Sequence, residues 1–165
     1  MIVVAPLHEV DEALRRWKPS HVVGMASPGA ELFEFVEDVQ SLRLIFHDIV
    51  EAREGLHAVT KTDVVRLLDF AAGWSRAAPL LVQCWAGVSR SPAAAYVVAC
   101  GIAGSGHEER LARSLRAAAP FATPNRRLVA LADVALERNG AMIAAIDRIG
   151  RGAETSTGVT FVLEV

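Results

Sequence analysis

Cys84 and Arg90, separated by five residues, have the types and the spacing to do chemistry. A cysteine thiolate is a strong nucleophile near neutral pH. A guanidinium is always charged and can hold two oxyanion oxygens at once. Between them run Trp85, Ala86, Gly87, Val88 and Ser89, and after them Ser91 and Pro92. Leu80, Leu81 and Val82 read as a buried strand, and the alanine-rich run 93–100 reads as a helix. Pro92 suits a first helical turn, where its missing N–H has no partner to lose, and Ser91 suits the N-cap. Cys84 is then expected at a strand end, with the amides of the following loop gathered at a helix N-terminus. Such a loop binds anions. A thiol set among those amides and beside an arginine is drawn toward its thiolate.

The elements that must position this pair follow from the rest of the chain. Apolar runs at 2–5, 21–25 and 42–46 read as strands, alternating with helical spacing at 6–17 and 61–74. Strands that are apolar along their length and alternate with helices imply an α/β fold with a largely parallel central sheet and helices on both faces, the anion-binding loop lying between a central strand and a helix. A weak helix is expected over 31–36, and further helices over 92–102, 107–119, 126–139 and 142–149. Thr123 and Pro124 suit the start of the fourth of these. The small residues of 150–158 read as a flexible turn and 159–165 as an edge strand. One domain over residues 1–165 is expected.

Functional residues in such sheets lie at the carboxyl ends of strands. That places Asp48, two residues beyond the third strand, on the same edge as Cys84. Asp63 is its rival, although Thr60 or Thr62 before it reads as a helix start with acid in the first turn. His47 is expected to be an exposed neighbour, and Trp85 to pack under the loop rather than wall it.

Cys84-x5-Arg90-Ser91, with Ala86-Gly87 inside the loop, a strand before and a helix after, resembles the signature of the cysteine-dependent protein tyrosine and dual-specificity phosphatases. The resemblance implies a metal-independent phosphate-monoester hydrolase acting on phosphotyrosine, or on both phosphotyrosine and phosphoserine/threonine, through a phosphocysteine intermediate. Cys84 would be the nucleophile, and the amides from Trp85 through Arg90 the phosphate cradle. Arg90 would be the guanidinium clamp, Ser91 the hydroxyl that supports the thiolate, and Asp48 the general acid. Pro124-Asn125 before a closing helix also resembles the family, with Asn125 in a structural role. No cofactor or metal is implied.

Two departures stand out. Gln83 occupies the place where the family usually has histidine, and Phe46-His47-Asp48 stands where a Trp-Pro-Asp is common. They motivate a second reading, a phosphate- or phosphopeptide-binding module with impaired turnover. A third keeps the chemistry but takes a phosphoinositide or an RNA 5′ phosphate, against which the single loop cation Arg90 weighs.

Composition narrows the classes further. The formal net charge is −2, which argues against a nucleic-acid partner held by a broad basic surface. Hydrophobic residues make up 52% of the chain, yet no apolar run has the ~18 residues of a membrane span. The expected partner is a phosphorylated protein or a small phosphate ester, with no membrane involvement. Two cysteines, Cys84 and Cys100, do not make a disulfide scaffold, and a free thiolate is simplest to keep in a reducing cytoplasm.

Overall fold

The computed structural model describes residues 1–30 and 39–165; the weak helix expected over 31–36 lies outside them. Five strands, β1 (Ile2–Pro6), β2 (His21–Ala26), β3 (Gln40–Ile45), β4 (Leu80–Cys84) and β5 (Phe161–Leu163), form one sheet in the order β3-β2-β4-β1-β5. The first four are parallel, and β5 pairs antiparallel with β1 on one edge. β1 and β4 are buried at every position because both faces of the central sheet are covered. β3 departs from that pattern. Leu42 and Leu44 point inward while Arg43 and Ile45 are exposed, the alternation of an edge strand with one open face.

On one face α1 (Val10–Trp17) sets Val10 and Ala13 against Val3, Ala5, Val22 and Leu81. The turn before it, Leu7–Glu9, is 3-10 rather than α, so the expected 6–17 helix begins late. Glu9 and Lys18 bound α1. The other face carries the larger core, built on α3 (Arg90–Ala103) and surrounded by α2 (Lys61–Ala72), α4 (Glu108–Ala118), α5 (Arg126–Ala135) and α6 (Ala141–Ile149). α3 is buried from Arg90 through Cys100, which explains its nearly uncharged sequence.

Thr60 starts α2 with a capping box: its Oγ1 accepts from the Asp63 amide at 3.3 Å, and Asp63 Oδ2 accepts from the Thr60 amide at 2.9 Å. Asp63 is consumed by that cap and so is no rival to Asp48. The fifth helix starts differently from expectation. Asn125, not Thr123, is its N-cap, with Oδ1 accepting from the Leu128 amide at 3.0 Å, and Arg126 rather than Pro124 opens the first turn. Asn125 supplies the side-chain acceptor, and Thr123 Oγ1 instead accepts from the Gly152 amide at 3.1 Å.

The expected flexible turn at 150–158 is a fastened strap. Besides the Gly152 bond, the Ala153 amide donates to Pro120 O at 2.9 Å and the Gly158 amide to Ala86 O at 2.8 Å. Thr160 then donates from its amide and hydroxyl to Glu9 Oε2 at 2.7 and 2.6 Å, which holds the Glu9 carboxyl below its ordinary pKa. The edge strand that follows is only three residues long, against the seven expected.

Cys100 lies wholly inside this core, where burial pushes its thiol up to about 12. It is therefore expected to resist iodoacetamide at pH 8 in the folded protein and to react once denaturant is added. Peptide mass mapping reads both states. Among the described residues no helix is long and apolar enough to cross a membrane.

Candidate active site

Cys84 ends the central strand level with Pro6 of β1 and Met25 of β2, so three parallel strands deliver their carboxyl ends to one edge. The chain cannot continue as strand there. It turns through residues 85–89 and enters α3, whose N-cap is Ser89 rather than the expected Ser91. Pro92 consequently sits third in the helix, a position whose N–H would also have no intrahelical acceptor. Moving the cap back frees the Ser91 hydroxyl, which lies 3.0 Å from Cys84 Sγ with both groups buried.

The loop's backbone is fixed from outside by its carbonyls. Trp85 O accepts from the Leu7 amide at 3.1 Å, and Ala86 O from Gly158 at 2.8 Å. Val88 O accepts from Thr123 at 2.8 Å, and Ser89 O from Asn125 at 3.2 Å. Across a trans peptide the carbonyl of one residue and the amide of the next point opposite ways. Each carbonyl tied outward therefore turns the next amide inward, at Ala86, Gly87, Ser89 and Arg90. Among the described residues no acceptor meets the amides of 85–90. The result is a concave set of unspent donors at a helix N-terminus, with a thiol at its base.

Gly87 is required for this bend. Its φ is +69°, and a Cβ there would lie 3.0 Å from the Pro6 nitrogen and 3.1 Å from its Cα. Gly87→Ala is expected to cost about 1–3 kcal/mol of stability and to weaken oxyanion binding, because either φ or Pro6 must shift. Denaturant unfolding beside a tungstate titration measures both.

Arg90 reaches back under the loop. It is 6% exposed, and its Nη1 donates to Phe46 O at 2.9 Å and Ser27 Oγ at 3.3 Å. Its Nε has no hydrogen-bond partner and lies 4.0 Å from Asp48 Oδ2. A buried guanidinium so thinly partnered leaves the site short of negative charge, which an arriving anion would supply.

Asp48 stands over the same space, at the start of the segment after β3. Its Oδ1 accepts from Ser89 Oγ at 2.8 Å and from Asn125 Nδ2 at 2.7 Å. Two donors on one oxygen leave Oδ2 as the free oxygen, on the side of Arg90. His47 is half-buried rather than a bystander. Its amide donates to His57 O at 2.7 Å, and its Nδ1 accepts from the His57 amide at 2.9 Å, closing the segment that carries Asp48. Arg127 Nε fastens the far end of that segment through Val59 O at 2.9 Å.

The structure thus brings Cys84, Arg90, Ser91 and Asp48 together with the loop Trp85–Ala86–Gly87–Val88–Ser89. Asn125 was expected to be structural. Its cap is, but its amide also holds Asp48 across 77 residues, a contact with no local signal in the sequence. Trp85 does not pack under the loop. It is 66% exposed and walls the site instead. With Leu7, Met25, Ser27, Gln83 and Arg90 it lines a cavity of about 220 Å³ beside the cradle. Among the described residues no cluster of three or more potential metal ligands occurs.

The chain has the fold of the dual-specificity and protein tyrosine phosphatases. Among solved structures it is similar to DUSP15, at a TM-score of 0.59 and 18% identity over 92% of each chain. It is also similar to PTPMT1 in complex with PI(5)P, at a TM-score of 0.51 and 17% identity over 88% of each chain. No protein-family model matches the sequence, and no curated protein matches it.

Proposed function

We propose that the protein is a metal-independent phosphate-monoester hydrolase that acts on phosphotyrosine, alone or with phosphoserine/threonine, through a phosphocysteine. The observation that carries this reading is the convergence of Cys84, the unspent amides of 85–90 and a buried, under-partnered Arg90 on the one loop after β4. A pure binder has no use for the thiol.

In the proposed sequence the Cys84 thiolate attacks phosphorus, the sulfur–phosphorus bond forms and the bond to the ester oxygen breaks. The inward amides and the Arg90 guanidinium hold the three equatorial oxygens, so the charge of the transition state meets donors already in place. Protonated Asp48, its Oδ1 anchored, gives the proton on Oδ2 to the departing oxygen. Water then attacks the phosphocysteine and loses its proton to Asp48. The sulfur leaves as a thiolate stabilised by the Ser91 hydroxyl at 3.0 Å, and inorganic phosphate is released.

Asp48→Asn is expected to slow phenyl phosphate by about 10²–10³ and p-nitrophenyl phosphate by much less, since the better leaving group needs less protonation. The kcat/KM values on the two esters, which report only the steps through departure of the leaving group, decide it, and equal losses there would remove Asp48 from the acid role.

Substrate class follows from the surroundings. Leu7, Met25, Ala26, Ala30 and Trp85 line the cavity beside the cradle, and among the described residues lining it Arg90 is the one cation. A headgroup carrying several phosphates needs several cations, so a single phosphate on an apolar or aromatic carrier fits this lining better than a polyphosphorylated one. Free thiols at Cys84 and Cys100 fit a reducing compartment such as the cytoplasm.

The direct test is hydrolysis of p-nitrophenyl phosphate in EDTA, with vanadate as inhibitor. Turnover that survives EDTA and is blocked by vanadate supports the reading. A folded, reduced protein that binds tungstate without turnover would instead make it the binding module, with Gln83→His the first reversion to try.

A further inference from the structure

Trp85 is a costly residue to leave 66% exposed, and it is not alone on its rim. The indole and Leu7 line the cavity that reaches Arg90. The same two residues, with His8 and Thr157, line a second cavity of about 230 Å³. The two spaces therefore adjoin the same pair of side chains, Trp85 and Leu7. Among the described residues lining the second cavity there is no permanently charged side chain.

The geometry points to this second cavity as a subsite for an apolar side chain of a peptide substrate, within about three residues of the phosphorylated one. The inference rests on the phosphate-cradle reading of the adjoining site. Trp85 directly follows Cys84, and an extended chain advances about 3.3–3.6 Å per residue, so a short step along the peptide crosses the indole. Leu, Ile, Met or Phe on the substrate would cover Leu7 and the exposed ring. An anionic bilayer is the other class of surface that an exposed tryptophan at a site mouth would suit, but it would be drawn by lysines and arginines. Here Glu9, which follows His8 in the chain, lines a further concavity together with Glu12 and, as the cation among its described lining residues, Arg16. That flank favours the peptide.

The test uses the full chain and a panel of phosphotyrosyl peptides, otherwise of serine and glycine, with a single leucine walked through the three positions on either side of the phosphotyrosine. Cys84→Ser protein reports peptide affinity independently of turnover, and the unmodified protein reports kcat/KM and p-nitrophenyl phosphate hydrolysis. Leucine at one position is expected to improve affinity and kcat/KM about tenfold. Thr157 is exposed and lines the second cavity but not the first, so Thr157→Asp is expected to reduce that preference to within twofold, and Thr157→Leu to enlarge it. p-Nitrophenyl phosphate, too small to reach the groove, should be hydrolysed at an unchanged rate by both variants.

No position preferring leucine by more than twofold would overturn the inference, as would a preference indifferent to Thr157. Activity drawn to phosphoinositide in phosphatidylserine vesicles and lost in Thr157→Asp would overturn it in favour of a lipid. Failure of the unmodified protein to hydrolyse p-nitrophenyl phosphate, with peptide affinity retained, would sink the hydrolase reading and leave the groove standing.

Discussion

Cys84→Ser is expected to lower turnover on any phosphate monoester by on the order of 10⁴ or more, with little change in oxyanion affinity. The serine hydroxyl is nearly the size of the thiol but does not ionise near neutral pH, so the nucleophile is lost while the space is kept. Binding rests on other atoms. The amides of 86, 87, 89 and 90 are aimed by carbonyl bonds to Leu7, Gly158, Thr123 and Asn125, none of which involves the sulfur. Tungstate, which needs no covalent bond, should therefore bind the variant within about threefold of the parent. Calorimetry on the serine protein makes that comparison. A variant that lost both properties would mean that the thiol shapes the cradle instead of attacking from its floor.

Arg90→Met should lose both turnover and oxyanion affinity, the rate falling by about 10³–10⁵ as for other guanidinium clamps on a phosphoryl group. Its effect on stability separates this from simple damage. Arg90 is buried with an unpartnered Nε and Asp48 only at 4.0 Å, so the empty site holds a poorly compensated charge. Methionine fills similar volume without charge, and such replacements of buried ionic groups are often neutral or stabilising. The variant is expected to melt no lower than the parent without anion, despite losing the bonds to Phe46 O and Ser27 Oγ, and to gain nothing from added tungstate. The parent should gain with concentration, as any ligand bound only by the folded state requires. A melt of Arg90→Met that still rises with tungstate would show that the anion sits elsewhere.

The local part of this site was legible in the sequence. An apolar strand, a glycine in a short loop and an alanine-rich helix are nearest-neighbour features, and they place Cys84 and Arg90 without reference to the rest of the chain. Asp48 was reachable by one further rule, that parallel strands present their carboxyl ends on a common edge, and Phe46-His47-Asp48 falls there. What escaped are contacts between residues far apart in the chain. Asn125 reads as a cap, and nothing beside it says that its amide reaches Asp48. The segment 150–158 has the composition of a loose turn, yet Gly158 fits only because it carries no Cβ against the Phe121 ring, and its amide then sets the Ala86 carbonyl. Trp85 was misread because an aromatic beside a strand usually packs. Here the ring stands exposed at the rim, where it lines a cavity with Leu7 and Arg90.

The central claim is that the Cys84 sulfur takes the phosphoryl group. Asp48→Ala protein should accumulate that intermediate, since without its base the hydrolysis step is slowed, while p-nitrophenyl phosphate still departs unaided. Acid quench within the first turnovers, followed by peptide mass mapping at low pH, should find the phosphoryl group on the peptide holding Cys84 and on no other. Cys84→Ser should show none. Phosphate released at the full rate with the peptide unmodified, or the phosphoryl group found on Ser91 or another residue, would contradict the account.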